Sequence, residues 1–139
     1  MASTMNITHY LANYLAANGI NIAANLGGAT LTIYSGTQPA NSDTALSGNT
    51  VLATFTLPAA GSNSVSAAGV ITILASAIAA VTAAATGTAV FARCTNGANT
   101  LFDCSVGTSG TDLIINSTAI QSGAQVSVTG NITVTMPSY

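Results

Sequence analysis

From Ala29 onward the apolar side chains recur at every second position in short runs, a period that confines this part of the chain to strands. Leu31-Thr32-Ile33-Tyr34 alternates, and Ser35-Gly36-Thr37-Gln38-Pro39 stops it. Val51, Ala53, Phe55 and Leu57 fall on one face of the next run, with Leu52, Thr54 and Thr56 on the other, and Pro58 ends it. Ala59 to Ala68 reads as a loop of small residues centred on Gly61-Ser62-Asn63. Val70 to Leu74 reads as a strand, and Ala77 to Val81 as another short one or its continuation past a bulge. Leu113-Ile114-Ile115 follows the turn at Gly107 to Gly110. In the last run Val126, Val128, Ile132 and Val134 share a parity, interrupted by Gly130 and ended by Pro137. This density of short strands and turns predicts a mainly β fold, an antiparallel β-sandwich or flattened barrel, jelly-roll-like. No βαβ rhythm is present to suggest a parallel α/β sheet.

The first segment has a different period. Leu11, Leu15, Ile22 and Leu26 recur at roughly helical intervals among alanines, Thr8 is a candidate N-cap, and Gly27-Gly28 ends the pattern. This spacing predicts a short N-terminal helix over about 8–18, resuming over 20–25. The chain therefore divides into an N-terminal helical segment, 1–28, and a β domain, 29–139.

The clearest hairpin runs from Ala89 to Val106 around Asn96-Gly97-Ala98-Asn99. A three-residue loop over 97–99 sets Arg93 opposite Asp103 on one face and places Ala92, Cys94, Phe102, Cys104 and Val106 on the other. A slip by one residue would separate both the charges and the cysteines onto opposite faces. The preferred register makes Arg93 and Asp103 a structural ion pair, contributing at most about 1 kcal/mol if exposed.

Charge narrows the function. Arg93 is the only Lys or Arg, and the acids are Asp43, Asp103 and Asp112, giving 3% charged residues where about 25% is usual. One Arg cannot neutralise a run of phosphates, so no nucleic-acid partner is expected. A surface of Ser, Thr, Asn, Ala and Gly suits close packing against neighbours; its plainer alternative is a neutral monomer kept soluble by hydroxyls and amides. Val70 to Ala92 is uncharged, but it is interrupted by Thr and Gly and has no basic flank, so no membrane span is expected. No signal peptide is evident, and the sequons at Asn6, Asn116 and Asn131 read as accidents of a Thr-rich chain.

Catalytic chemistry finds few candidates. The possible ligands and acid–base groups are His9, Cys94, Cys104 and the three Asp. His9 precedes the strands, no G-x-S-x-G elbow or phosphate-binding glycine loop is present, Asp43 reads as a turn residue, and Asp112 as a turn or strand-start residue. Cys94 and Cys104, diagonal on one face, read as free core thiols because diagonal spacing is long for a disulfide. The expectation is no enzyme, no cofactor and no metal. Tyr34, before Ser35-Gly36, could line a glycan site or cap the core edge.

The stretch Leu31 to Ala40 (L-T-I-Y-S-G-T-Q-P-A), with Asp43-Thr44-Ala45-Leu46 and Leu52-Ala53-Thr54-Phe55, resembles a family of small proteins encoded among tailed-phage and prophage structural genes. Ala85 to Ala89, Phe91 to Arg93, Asp103 to Asp112 (D-C-S-V-G-T-S-G-T-D) and the strand around Val126 to Thr133 are similar to it too. The likeness covers most of the chain from Ala29 on; the N-terminal segment adds little and the two cysteines depart from the family's pattern. The resemblance implies a virion location and a structural role, foremost a capsid decoration (cement) protein binding the major capsid protein or other virion subunits. A homo-oligomer is expected from the general prevalence of symmetric assemblies and not from any particular residue. A tail-fibre, tail-associated or baseplate subunit, or a glycan-binding β-sandwich module, is the alternative. Candidate interface residues are Tyr10, Tyr14 and Leu15 on the N-terminal segment and Gln38 and Pro39 in the loop after the first strand.

Overall fold

The computed structural model describes residues 6–7, 26–58, 63–65 and 70–135, and over these the protein is mainly β, built on a curled sheet that forms a half-barrel. Strands β1 (Asn6–Ile7), β2 (Thr30–Ser35), β3 (Thr50–Thr56), β8 (Phe91–Asn96) and β9 (Asn99–Gly107) lie in the order β1-β9-β8-β2-β3, every neighbouring pair antiparallel. The helix expected over 8–18, with its resumption over 20–25, lies outside the described residues. On the near side of the Gly27–Gly28 turn, Leu26 is fully buried in the same core as the β domain.

The remaining strands are short. β4 (Asn63–Val65) and β13 (Ile132–Thr135) flank β5 (Val70–Ile73), β6 (Val81–Thr82) pairs with β12 (Gln125–Val126), and β7 (Gly87–Thr88) pairs with β11 (Ala119–Ile120). Two expectations fail here. Part of the small-residue loop over 59–68 is strand β4, because its backbone pairs along β5 even though its side chains are small. Ala77 to Val81 is not one strand: Ala75–Ala77 forms a 3-10 turn, and pairing resumes only at Val81.

One continuous core joins the concave side of the large sheet to the smaller ones. Leu31, Ile33, Ala53, Phe55, Ala92, Cys94, Phe102 and Cys104 meet Ile71, Ile73, Leu113, Ile115, Val126, Val128, Ile132 and Val134. The shared parity expected for 126–134 holds, all four residues being buried, but the single last strand expected there is two, β12 and β13, paired in different sheets. Phe55, Phe91 and Phe102, the chain's three phenylalanines, are fully buried, each contributing about 1.5–3 kcal/mol.

The parity expected for 51–57 breaks at one point. Ile33 pairs with Ala53 but Tyr34 pairs with Val51, so Leu52 is an extra residue at a β-bulge. The bulge turns Leu52 into the core at 0% exposure and leaves Val51 at 40%. A second bulge lies in the 91–106 hairpin. The body of the hairpin has the expected register, with Arg93 opposite Asp103, but the loop is two residues rather than three: Asn96 pairs with Asn99, and the shift is absorbed beyond Cys94. Gly97 takes φ +62° while Ala98 stays negative, the sign pattern of a II′ turn.

After β9 the chain makes a tight return over 108–112 and lays β10 (Leu113–Ile114) parallel to the strand it has just left. Parallel neighbours ordinarily need a crossover of about a dozen residues. Here Asp112 holds the return, its Oδ2 accepting from the Ser105 N–H and Oγ–H (both 3.2 Å). Asp112 is thus a turn residue, as its place after Gly110-Thr111 suggests.

Candidate functional site

The side of the large sheet turned away from the core is covered in part, Thr54 and Thr56 at its edge being exposed. This convex side carries Thr32, Arg93 and Asp103 in one cross-strand row and Tyr34, Phe91 and Ser105 in the next. Over the first row folds the connection 36–49. The charged pair is consequently buried, at 7% and 0% side-chain exposure, and is not the exposed bridge that alternation alone suggests. Arg93 Nε and Nη2 donate to the two carboxylate oxygens of Asp103 at 2.6 and 2.8 Å, a bidentate fork. These bonds raise the guanidinium above its ordinary pKa, against the opposing effect of burial.

The third arm of Arg93 reaches out of the sheet. Nη1 donates to the carbonyl of Thr44 at 2.9 Å, and beside it the Asp103 N–H donates to Ser42 Oγ at 3.2 Å, with Ser42 buried. The connection is braced from within as well. Asn41 Oδ1 accepts from the Asp43 N–H (3.1 Å) and Thr44 Oγ (2.9 Å), an Asx turn. Asn49 Nδ2 donates to the carbonyls of Ser35 (3.0 Å) and Thr37 (3.1 Å), and Asn49 Oδ1 accepts from the Ser47 N–H (3.1 Å). At the neck Ser35 pairs with Thr50, and Gly36 sits at φ +87° with its Cα so close to Asn49 that a Cβ would lie 3.0 Å from Nδ2. Only glycine satisfies both conditions without strain.

Of the interface candidates, Gln38 and Pro39 lie half-buried on this loop. Tyr10, Tyr14, Leu15 and His9 lie outside the described residues. Sequence reading found the Arg93–Asp103 pairing but missed Ser42, the Thr44 carbonyl and Asn49. The turn chemistry of Asn41-Ser42-Asp43-Thr44 was the available signal, and nothing in it announced a contact to a strand far along the chain.

Other chemistry is sparse. Cys94 and Cys104 are free and buried. Burial pushes the Cys94 thiol up to about 12 and Cys104 well above its ordinary value, so neither offers a thiolate nucleophile at neutral pH. Among the described residues no group of three or more His, Cys, Asp or Glu gathers as metal ligands, and no helix is long and apolar enough to cross a membrane. Tyr34 is half-buried, its ring stacked on Phe91 at 5.4 Å between centroids and 21° between planes. It caps the sheet there, with one ring face already occupied. No family model, curated protein or solved structure matches the chain.

Proposed function

We propose that the protein is a non-catalytic structural subunit of a phage virion, foremost a capsid decoration protein that binds the outer shell and stabilises it. The observation that carries this reading is where the charge goes. The one strong cation is buried against Asp103, and Asp43 is the only fully exposed charged side chain among the described residues. What faces outward there is hydroxyl, amide and methyl, a surface able to pack against other proteins and poorly equipped for polyanions or acid–base chemistry. The resemblance of the 31–40 and 103–112 stretches to tailed-phage structural proteins supports the same reading, the proposed virion location included. The core between the curled sheet and the smaller sheets favours a two-layered arrangement, a sandwich or flattened barrel. Such a body suits a subunit repeated by symmetry, where many modest contacts sum to firm attachment.

Electron cryomicroscopy of the particle carrying this chain tests the proposal. Density for the subunit on the outer shell at capsomer junctions is the expected result. Density confined to the tail or baseplate would replace decoration by the tail-associated alternative, and absence from the particle would end the virion reading. Micromolar glycan binding lost in Tyr34→Ala would favour a sugar-binding module instead.

A further inference from the structure

We propose that the 36–49 connection is a pre-organised docking loop for a polar, largely uncharged surface on another protein subunit, and that Arg93 is the residue that positions it. The partner's identity as a virion subunit rests on the reading above; the positioning role does not.

The loop is far longer than the ~2–5 residues that join hairpin strands, and ordered connections of this length without strand or helix are usually functional. Its ends are joined by the Ser35–Thr50 pair, Asn49 braces it from within, buried Ser42 ties it to the sheet, and Asn41 closes a turn on its rim. These are the marks of an Ω-loop. The bracing exceeds what closing a hairpin requires: one guanidinium arm, one buried hydroxyl and both polar atoms of Asn49 hold its shape. A loop ordered before contact loses less conformational freedom on binding than a mobile one.

The rim defines what it fits. Thr37, Ala40, Asn41, Ala45 and Ser47 are exposed and uncharged, with Asp43 among them. A surface of this kind has no means of holding a nucleic-acid backbone or an anionic membrane, both of which need clustered cations. It presents short hydroxyl, amide and methyl groups that match a close-packed protein face.

Two measurements test the two halves separately. The first is hydrogen exchange on the isolated protein, wild type against Arg93→Met/Asp103→Leu, a pair of apolar replacements of similar volume. Positioning by Arg93 requires the Asp43 and Thr44 amides to exchange about tenfold faster or more in the variant, while Ala92 and Cys104 in the sheet keep their protection. Unchanged loop exchange overturns the positioning role. Arg93→Lys, which keeps a cation for Asp103 but cannot hold both carboxylate oxygens and the Thr44 carbonyl at once, should give the same loop-limited acceleration and serves if the double variant fails to fold, unchanged loop exchange again overturning the role.

The second is co-sedimentation with virus particles stripped of the subunit. Thr37→Arg and Ala45→Arg on the rim should weaken binding by about tenfold or more, as a bulky charge placed in a neutral interface does, while Ser122→Arg, exposed on the turn before β12, binds as wild type. Equal binding by the rim variants overturns the docking loop and leaves the virion reading intact. A wild-type protein that binds no particle overturns the virion reading and the partner proposed here, whatever the exchange result.

Discussion

Replacing Asp103 by Asn removes one charge from a buried pair, and the structure sets the size of the penalty. The carboxylate is wholly buried and accepts two of the three donor contacts of Arg93. With Asn in its place the guanidinium stays buried, retaining the Thr44 carbonyl and a weaker neutral acceptor. Breaking one side of a buried pair costs about 3–5 kcal/mol, against a total stability of about 5–15 kcal/mol for a domain. With a urea slope of about 2 kcal/mol/M, the unfolding midpoint should fall by roughly 1.5–2.5 M. Arg93→Met alone should cost a similar amount, because it strands the carboxylate instead. The double variant Arg93→Met/Asp103→Leu should recover most of the loss, since matched apolar groups avoid the desolvation that the charges suffer. Urea melts of the four proteins followed by circular dichroism form the cycle. Single costs under about 1 kcal/mol that simply add in the double variant would show a solvated surface bridge, and the account of the covered convex face would fail.

Further outcomes follow from other parts of the structure. Leu52→Ala should cost about 2–5 kcal/mol and Val51→Ala under about 0.5 kcal/mol, which checks in a thermal melt that the bulge, and not simple alternation, decides which of the two enters the core. Gly36→Ala should destabilise by about 1 kcal/mol or more through its positive φ and its closeness to Asn49, whereas Ala40→Gly on the exposed rim should be near neutral in the same assay. Native protein at pH 8 should react with a thiol reagent only as fast as it unfolds, and both cysteines should react at once in denaturant. Stability should also decline in alkali. The Cys94 thiol ionises near 9.0 when unfolded but only near 12 when buried, so the unfolded chain sheds its proton first. Stability is intact below about pH 9 and falls by about 1.4 kcal/mol per pH unit above it for this thiol, with Cys104 acting in the same direction; a flat stability profile from pH 8 to 10.5 would refute this.

A strand was legible where alternation was undisturbed, as over 30–35; the run 126–134 kept its buried parity but divides into β12 and β13, which pair in different sheets. The ion pair was legible because one cation and few acids left little choice. The failures share a cause. A bulge shifts parity without altering composition, so Leu52 and Val51 exchanged roles unseen, and the 91–106 hairpin reached its expected register through a shorter turn and a compensating bulge. Strand β4 was hidden because its ladder is a property of the backbone. The burial of Arg93 and Asp103 was hidden for another reason: a period of two says which residues share a face, and says nothing about whether a distant segment will fold over it. The candidate site is that distant segment, so its outline was visible in the sequence as a loop while its attachment was not.

The closed neck at Ser35–Thr50 has an evolutionary corollary. Because the two strands are joined below the loop, whatever lies between Gly36 and Asn49 can lengthen or change with little effect on the sheet, each doubling of its length adding only about 0.6 kcal/mol of closure entropy. The conditions the scaffold imposes are a carbonyl within reach of Nη1, an acceptor for the Asp103 N–H and enough bulk to keep water from the charges. The fold is thus organised as a mounting with an exchangeable cassette, one whose loop can change while its core residues stay as they are.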